Sequence, residues 1–159
     1  MGSARAWLAA IGAAVAVLTG VLGAAQSASA STSEEVVPEP RIAAVMADVP
    51  GGVLLDENHA VWPELGMAME TPAGVGLRTV GGCATGNVCV FDGFGAQGAK
   101  LSWSSCGTPT VSAFTVRSIA NDRPTGYAQA RSGTVVRATA YAGNYANVYG
   151  AVDNVRCVS

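Results

Sequence analysis

Apolar and polar residues do not repeat with one period along this chain. From Ala6 to Ala25, 16 of 20 positions are hydrophobic and none is charged. Beyond residue 50 the apolar positions come in short runs broken by glycine, proline, asparagine and aspartate. Val53-Leu54-Leu55, Ala60-Val61-Trp62 and Met67-Ala68-Met69 read as short strands, with Pro50-Gly51-Gly52 as the turn before them. Further on, Val88 to Phe91, Lys100 to Trp103, Val116 to Ile119, Thr134 to Thr139 and Asn154 to Val158 are β-rich runs between glycine-rich turns. That spacing predicts an all-β sandwich. No segment of this part keeps a 3.6-residue apolar period, so helix is limited to a turn or two.

The leading apolar stretch follows Arg5 and ends at Ala28-Ser29-Ala30, a small-x-small site, as a secretory signal peptide does. It is long enough to span a bilayer. However, Ser31-Thr32-Ser33-Glu34-Glu35 follows without a basic stop-transfer cluster, which favours cleavage after residue 30. A secreted, extracellular protein is expected, away from the membrane once the leader is removed and monomeric. Cytosolic ATP- or NAD-driven chemistry does not suit that compartment, and no cofactor is expected.

Charge divides the remainder. The formal net charge is only −2, yet residues 31–79 hold eight acids and two bases, whereas residues 80–159 hold three acids and six bases. The boundary lies near Val80-Gly81-Gly82. Residues 1–30 are therefore read as signal peptide, 31–49 as a disordered acidic linker, 50–79 as an acidic extension with short strands, and 80–159 as the main domain. Three short strands are marginal alone, so the extension is expected to lean on that domain. A functional alternative is a removable acidic pro-segment that covers a basic surface.

All four cysteines, Cys83, Cys89, Cys106 and Cys157, fall in the basic part. An even number in an oxidising compartment favours two disulfides over metal ligation. Three pairings are possible. The close spacing of Cys83 and Cys89 favours Cys83–Cys89, which leaves Cys106–Cys157.

Motifs for chemistry are weak. Gly93-Phe94-Gly95-Ala96-Gln97-Gly98 has the glycine spacing of a dinucleotide loop, but a strand pattern follows where a helix N-terminus would have to hold the phosphates. His59 is the sole histidine. It sits beside Asp56, Glu57 and Asn58 in an expected turn, and the chain has no Gly-x-Ser-x-Gly elbow. The six bases are dispersed singly with few interleaved aromatics, which argues against nucleic acid. A non-enzyme that acts by binding is the resulting expectation, with no catalytic residue and no metal site.

A faint internal repeat is visible. Phe91-Asp92-Gly93-Phe94-Gly95 is echoed by Tyr141-Ala142-Gly143-Asn144-Tyr145, and Thr115 to Ile119 by Asn154 to Val158. Two tandem Greek keys would produce it. Cys83-Ala84-Thr85-Gly86-Asn87-Val88-Cys89-Val90-Phe91, then Phe94-Gly95, then Val116-Arg117-Ser118-Ile119-Ala120-Asn121 resemble the secreted bacterial metalloproteinase inhibitors of βγ-crystallin-like fold. The resemblance covers Cys83 to about Asn121 well and the rest of the domain loosely. It implies an all-β, βγ-crystallin-like Greek-key sandwich of two keys, here preceded by a short β-hairpin-like N-terminal extension. It also implies inhibition of an extracellular zinc metallopeptidase of the thermolysin type, through a rigid exposed loop lying in the active-site cleft. Counting on from Asn121 places that loop near Val135 to Tyr141, with Val136, Arg137 and Ala138 as contact residues. No cysteine lies there, whereas the family's type member closes its loop with a second Cys pair. The alternative is a βγ-crystallin-like structural or cell-envelope binding module without inhibitory activity. Crystallin-type calcium runs are not kept in register: only Asp153 stands before Arg156-Cys157, and the better-matching Asn121-Asp122 falls out of register.

Overall fold

A computed structural model describes residues 35–72 and 82–159. The expected signal peptide, residues 1–30, lies outside the described residues, as does most of the expected boundary segment. Among the described residues, the apolar runs become ten strands: β1 (Val53–Asp56), β2 (His59–Trp62), β3 (Met67–Glu70), β4 (Val88–Phe91), β5 (Lys100–Trp103), β6 (Ser118–Asn121), β7 (Tyr127–Ser132), β8 (Val135–Tyr141), β9 (Asn144–Asn147) and β10 (Asn154–Val158). They form a seven-stranded antiparallel sheet, ordered β1-β2-β3-β5-β4-β6-β9, and a three-stranded one, β10-β7-β8. The chain is mostly β, in agreement with its patterning.

Strand burial follows position. β4, β5 and β6, in the middle of the large sheet, are buried at every residue; only β4 is apolar throughout, whereas β5 and β6 also bury Lys100, Ser102, Ser118 and Asn121. β2 and β3 alternate, with Ala60, Trp62, Met67 and Met69 inward. Both sheets feed one apolar core that includes Val90, Leu101, Ile119, Ala128, Ala130 and Val155.

Two expectations are corrected here. First, residues 31–49 are not all linker, because Pro40–Asp48 is an α-helix, α1. Pro40 occupies its first turn, where a missing N–H costs nothing, and the Glu39 carboxylate accepts the Arg41 amide at 2.9 Å. Ile42 and Val45, three residues apart, enter the core completely. Nine residues are too few for a helix to persist alone in water, so this buried face sustains it. The neighbouring acids and prolines hide that face in the sequence.

Second, the border expected near residue 80 does not divide the fold, and the extension, expected to lean on the main domain, is part of its sheet. β3 pairs with β5, setting Met67 opposite Trp103 and Glu70 opposite Lys100. Lys100 is nearly buried and meets Glu70 at 3.2 Å. Arg41 in α1 donates to Asp92 at 2.6 Å, so ion pairs also join the two charge blocks. Trp62 reaches the core from β2 and donates its indole N–H to the Val49 carbonyl at 2.8 Å. Gly52 makes room for this ring, since a Cβ there would stand 2.8 Å from it. The acidic segment therefore builds the sheet rather than covering a finished domain.

The two sheets also exchange chain. β9 follows β8 but pairs with β6 of the large sheet. In return, the segment after β5 runs along β10: Cys157 donates to the Gly107 carbonyl, Val155 to the Pro109 carbonyl, and Thr110 bridges Asn154. β4 is flanked by β5 and β6 in the large sheet, and β7 by β8 and β10 in the small one. In the internal repeat, Phe91 ends β4 and Tyr141 ends β8.

Candidate functional site

Cys83 is bonded to Cys89, and Cys106 to Cys157. The first bond closes a small loop, and the second fixes the segment after β5 onto β10. Strand β8 stands at the edge of the three-stranded sheet, opposite β10, with β7 between them.

Val136, Arg137 and Ala138 lie in the body of β8, and the expectation of a loop there is corrected. The register with β7 pairs Arg131 with Val136 and Ala130 with Ala138, so Arg137 is an extra, unpaired residue. Such a bulge bends the strand and turns its side chain away from the ladder. Val135 and Val136 are exposed, the latter by 43%, and so is Arg137. An alternating inward pattern at Thr139-Ala140 then returns β8 to the core, with Ala140 buried. The β-rich pattern from Thr134 to Thr139 is the reading that holds, with Ser132 and Arg131 of β7 opposite Val135 and Val136; the loop came only from the family resemblance.

Sequence reasoning also missed how the end of this hairpin is fixed. The turn between β7 and β8 is Gly133-Thr134, with Gly133 at φ +58°. Its amide donates to both carboxylate oxygens of Asp153, at 3.0 and 2.9 Å. The Asn154 side-chain amide donates to the Gly133 carbonyl at 3.0 Å, and Arg131 to the Thr134 carbonyl at 3.0 Å. The Gly133 amide, aided by the Asn154 side chain, holds the Asp153 carboxyl below its ordinary range. Asp153 and Gly133 are twenty residues apart, so no local pattern reveals the clamp. Its partial signal is the Asp-Asn pair directly before β10.

The remaining motifs resolve into structure. The glycine-rich segment folds into the β4–β5 hairpin, where Gly93 donates to the Gln97 carbonyl and Asp92 accepts the Ala99 amide at 2.7 Å. β5 follows it, so no helix N-terminus is present to hold a phosphate. His59 opens β2, in register with Asp56 and Glu70. Asp122 accepts the Thr85 hydroxyl, and Asn121 the Arg123 amide. Among the described residues no three His, Cys, Asp or Glu side chains gather closely enough to hold a metal ion. No described helix is long and apolar enough to cross a membrane.

Two open clefts flank these elements. One, of about 420 Å³, is mainly apolar and lies between Leu65, Met67, Trp103 and Pro109. The other, of about 400 Å³, is mainly polar and lies between Ser112, Thr115, Arg117 and Gly150. Compared with family models, curated proteins and solved structures, the chain matches none.

Proposed function

We propose that this chain is a secreted, non-catalytic inhibitor of an extracellular thermolysin-type zinc metallopeptidase, and that it presents the β7–β8 hairpin to the active-site cleft. The observation that carries this reading is the clamped hairpin end. Gly133-Thr134 is pinned by Asp153, Asn154 and Arg131, and it leads directly into exposed Val135-Val136-Arg137. Peptidase clefts take their substrates as extended backbone, and an edge strand offers that conformation in advance. Outside its ladder with β7, no residue of β8 makes a backbone hydrogen bond among the described residues. A segment already ordered avoids much of the entropy cost of binding. The two disulfides fit an oxidising compartment.

The βγ-crystallin-like, two-key arrangement belongs to the same proposal. It is supported by the exchange of strands between sheets, in which β9 joins β6 and residue 110 joins β10. Strands β1 to β3 would be an addition to the outer side of β5.

The test is inhibition of a thermolysin-type peptidase by the purified, oxidised chain. Inhibition is expected at micromolar concentration or below. An Arg137→Ala, Val136→Ala double variant is expected to weaken it by at least about tenfold, corresponding to the loss of about 1.4 kcal/mol of contact. Absence of inhibition by folded wild-type protein would overturn the reading and favour a structural or envelope-binding module.

A further inference from the structure

Three side chains that have no part in the hairpin gather on another part of the surface. Phe94 lies in the β4–β5 turn, Tyr149 in the β9–β10 connection, and Arg117 immediately before β6. The Phe94 and Tyr149 rings are 5.4 Å apart at 34°, and the Arg117 guanidinium is 5.6 Å from the centre of the Phe94 ring. Phe94 remains 46% exposed and Tyr149 70%. Single exposed apolar residues are ordinary on a protein surface. Two aromatics and a cation brought together from three separate segments are less so.

The cluster is held from below. Gly95 donates its amide to the Asn147 side chain at 2.9 Å, linking the two aromatic-bearing segments. Val148, fully buried, donates to the Arg117 carbonyl at 2.7 Å and anchors the chain next to Tyr149. Among the described residues Arg117 makes no ion pair, so its charge is uncompensated there. Beside it opens the polar cleft of about 400 Å³ that includes the Ser112 and Thr115 residues and the Gly150 backbone.

We propose that this surface binds an acidic polysaccharide whose sugar rings carry carboxylates. Aromatic faces present large, rigid apolar area to the C–H faces of a pyranose at low entropy cost. Neighbouring hydroxyl and backbone groups suit sugar hydroxyls, and a guanidinium takes a carboxylate through two parallel N–H donors. A nucleic acid would instead need a basic stripe to follow its phosphates, whereas this patch sets one cation beside two aromatic faces. The site is distinct in its residues from β8 and does not depend on peptidase inhibition.

The experiment is a calorimetric titration of the full oxidised chain with an oligogalacturonate, alongside a neutral oligosaccharide of equal length. Saturable binding of the acidic oligomer is expected, with the neutral one at least about tenfold weaker, because it lacks the carboxylate that the guanidinium would take. Arg117→Gln, which keeps a polar stem over Phe94, is expected to remove that preference. Tyr149→Ala, at a largely exposed position, is expected to weaken both ligands while leaving the melting temperature near that of wild type. Failure of the wild-type chain to bind the acidic oligomer would overturn the proposal. So would equal binding of both oligomers, or binding that is unchanged in both folded variants. Single-stranded DNA competing as well as the acidic oligomer would also overturn it.

Discussion

Ile42 gives the sharpest test of whether α1 is part of the folded core. Its side chain is fully buried, whereas its neighbour Arg41 lies on the surface with 43% of its side chain exposed. Ile42→Ala removes three carbons, which at about 0.8 kcal/mol each is roughly 2.4 kcal/mol of transfer free energy. An incompletely relaxed cavity of a few tens of Å³ adds about 1 kcal/mol, for a total near 3.4 kcal/mol. For the 116 described residues, this corresponds to a fall of about 14 °C in Tm. Arg41→Ala breaks contacts to Glu39 and Asp92, but exposed ion pairs contribute at most about 1 kcal/mol. The assay is urea unfolding followed by tryptophan emission, with buried Trp62 and Trp103 reporting from the two charge blocks. Ile42→Ala should lower the midpoint strongly at an unchanged slope, and Arg41→Ala only slightly. An Ile42→Ala protein as stable as wild type would refute the docking of α1.

Two further outcomes follow from the cross-links and the clamp. Replacing Cys106 and Cys157 by serine opens a closure with sequence separation 51 and should cost about 4 kcal/mol in urea, against about 2 kcal/mol for the Cys83–Cys89 pair, as chain-entropy scaling gives. A larger loss for the short loop would contradict that account. Asp153 has its carboxyl held below the ordinary 3.8; its contribution is therefore complete above that value and disappears as pH falls through the depressed one. Thermal melts taken across the acid range should show Asp153→Asn with a shallower acid-side decline than wild type. A variant that tracks wild type throughout would remove Asp153 as the source.

Much of the β architecture was legible because burial and propensity agree. Val88-Cys89-Val90-Phe91 is apolar at each position and becomes a strand buried at each position. β7 escaped the same reading because its inward residues are Ala128 and Ala130, whose side chains carry little strand preference. β9, Asn-Tyr-Ala-Asn, presents mostly outward polar residues while pairing with β6. α1 was hidden because two inward residues across nine make a weak period beside two prolines. The Arg137 bulge, the Asp153 clamp and the Phe94–Tyr149–Arg117 cluster depend on distant segments meeting, which no window of adjacent residues encodes. The charge division was real, but it does not mark a structural border, because β3 and β5 are direct neighbours.

That neighbourhood has a consequence for how the molecule is made. Translation proceeds from the amino terminus, so β3 leaves the ribosome about thirty residues before β5 exists for it to pair with. Its inward methionines, Met67 and Met69, must wait with only β1 and β2 beside them, as must the apolar side of α1. Non-local pairing of this kind delays folding until the loops have closed. The nascent amino-terminal half thus stays pliable, and the carboxy-terminal strands supply the template on which it is organised.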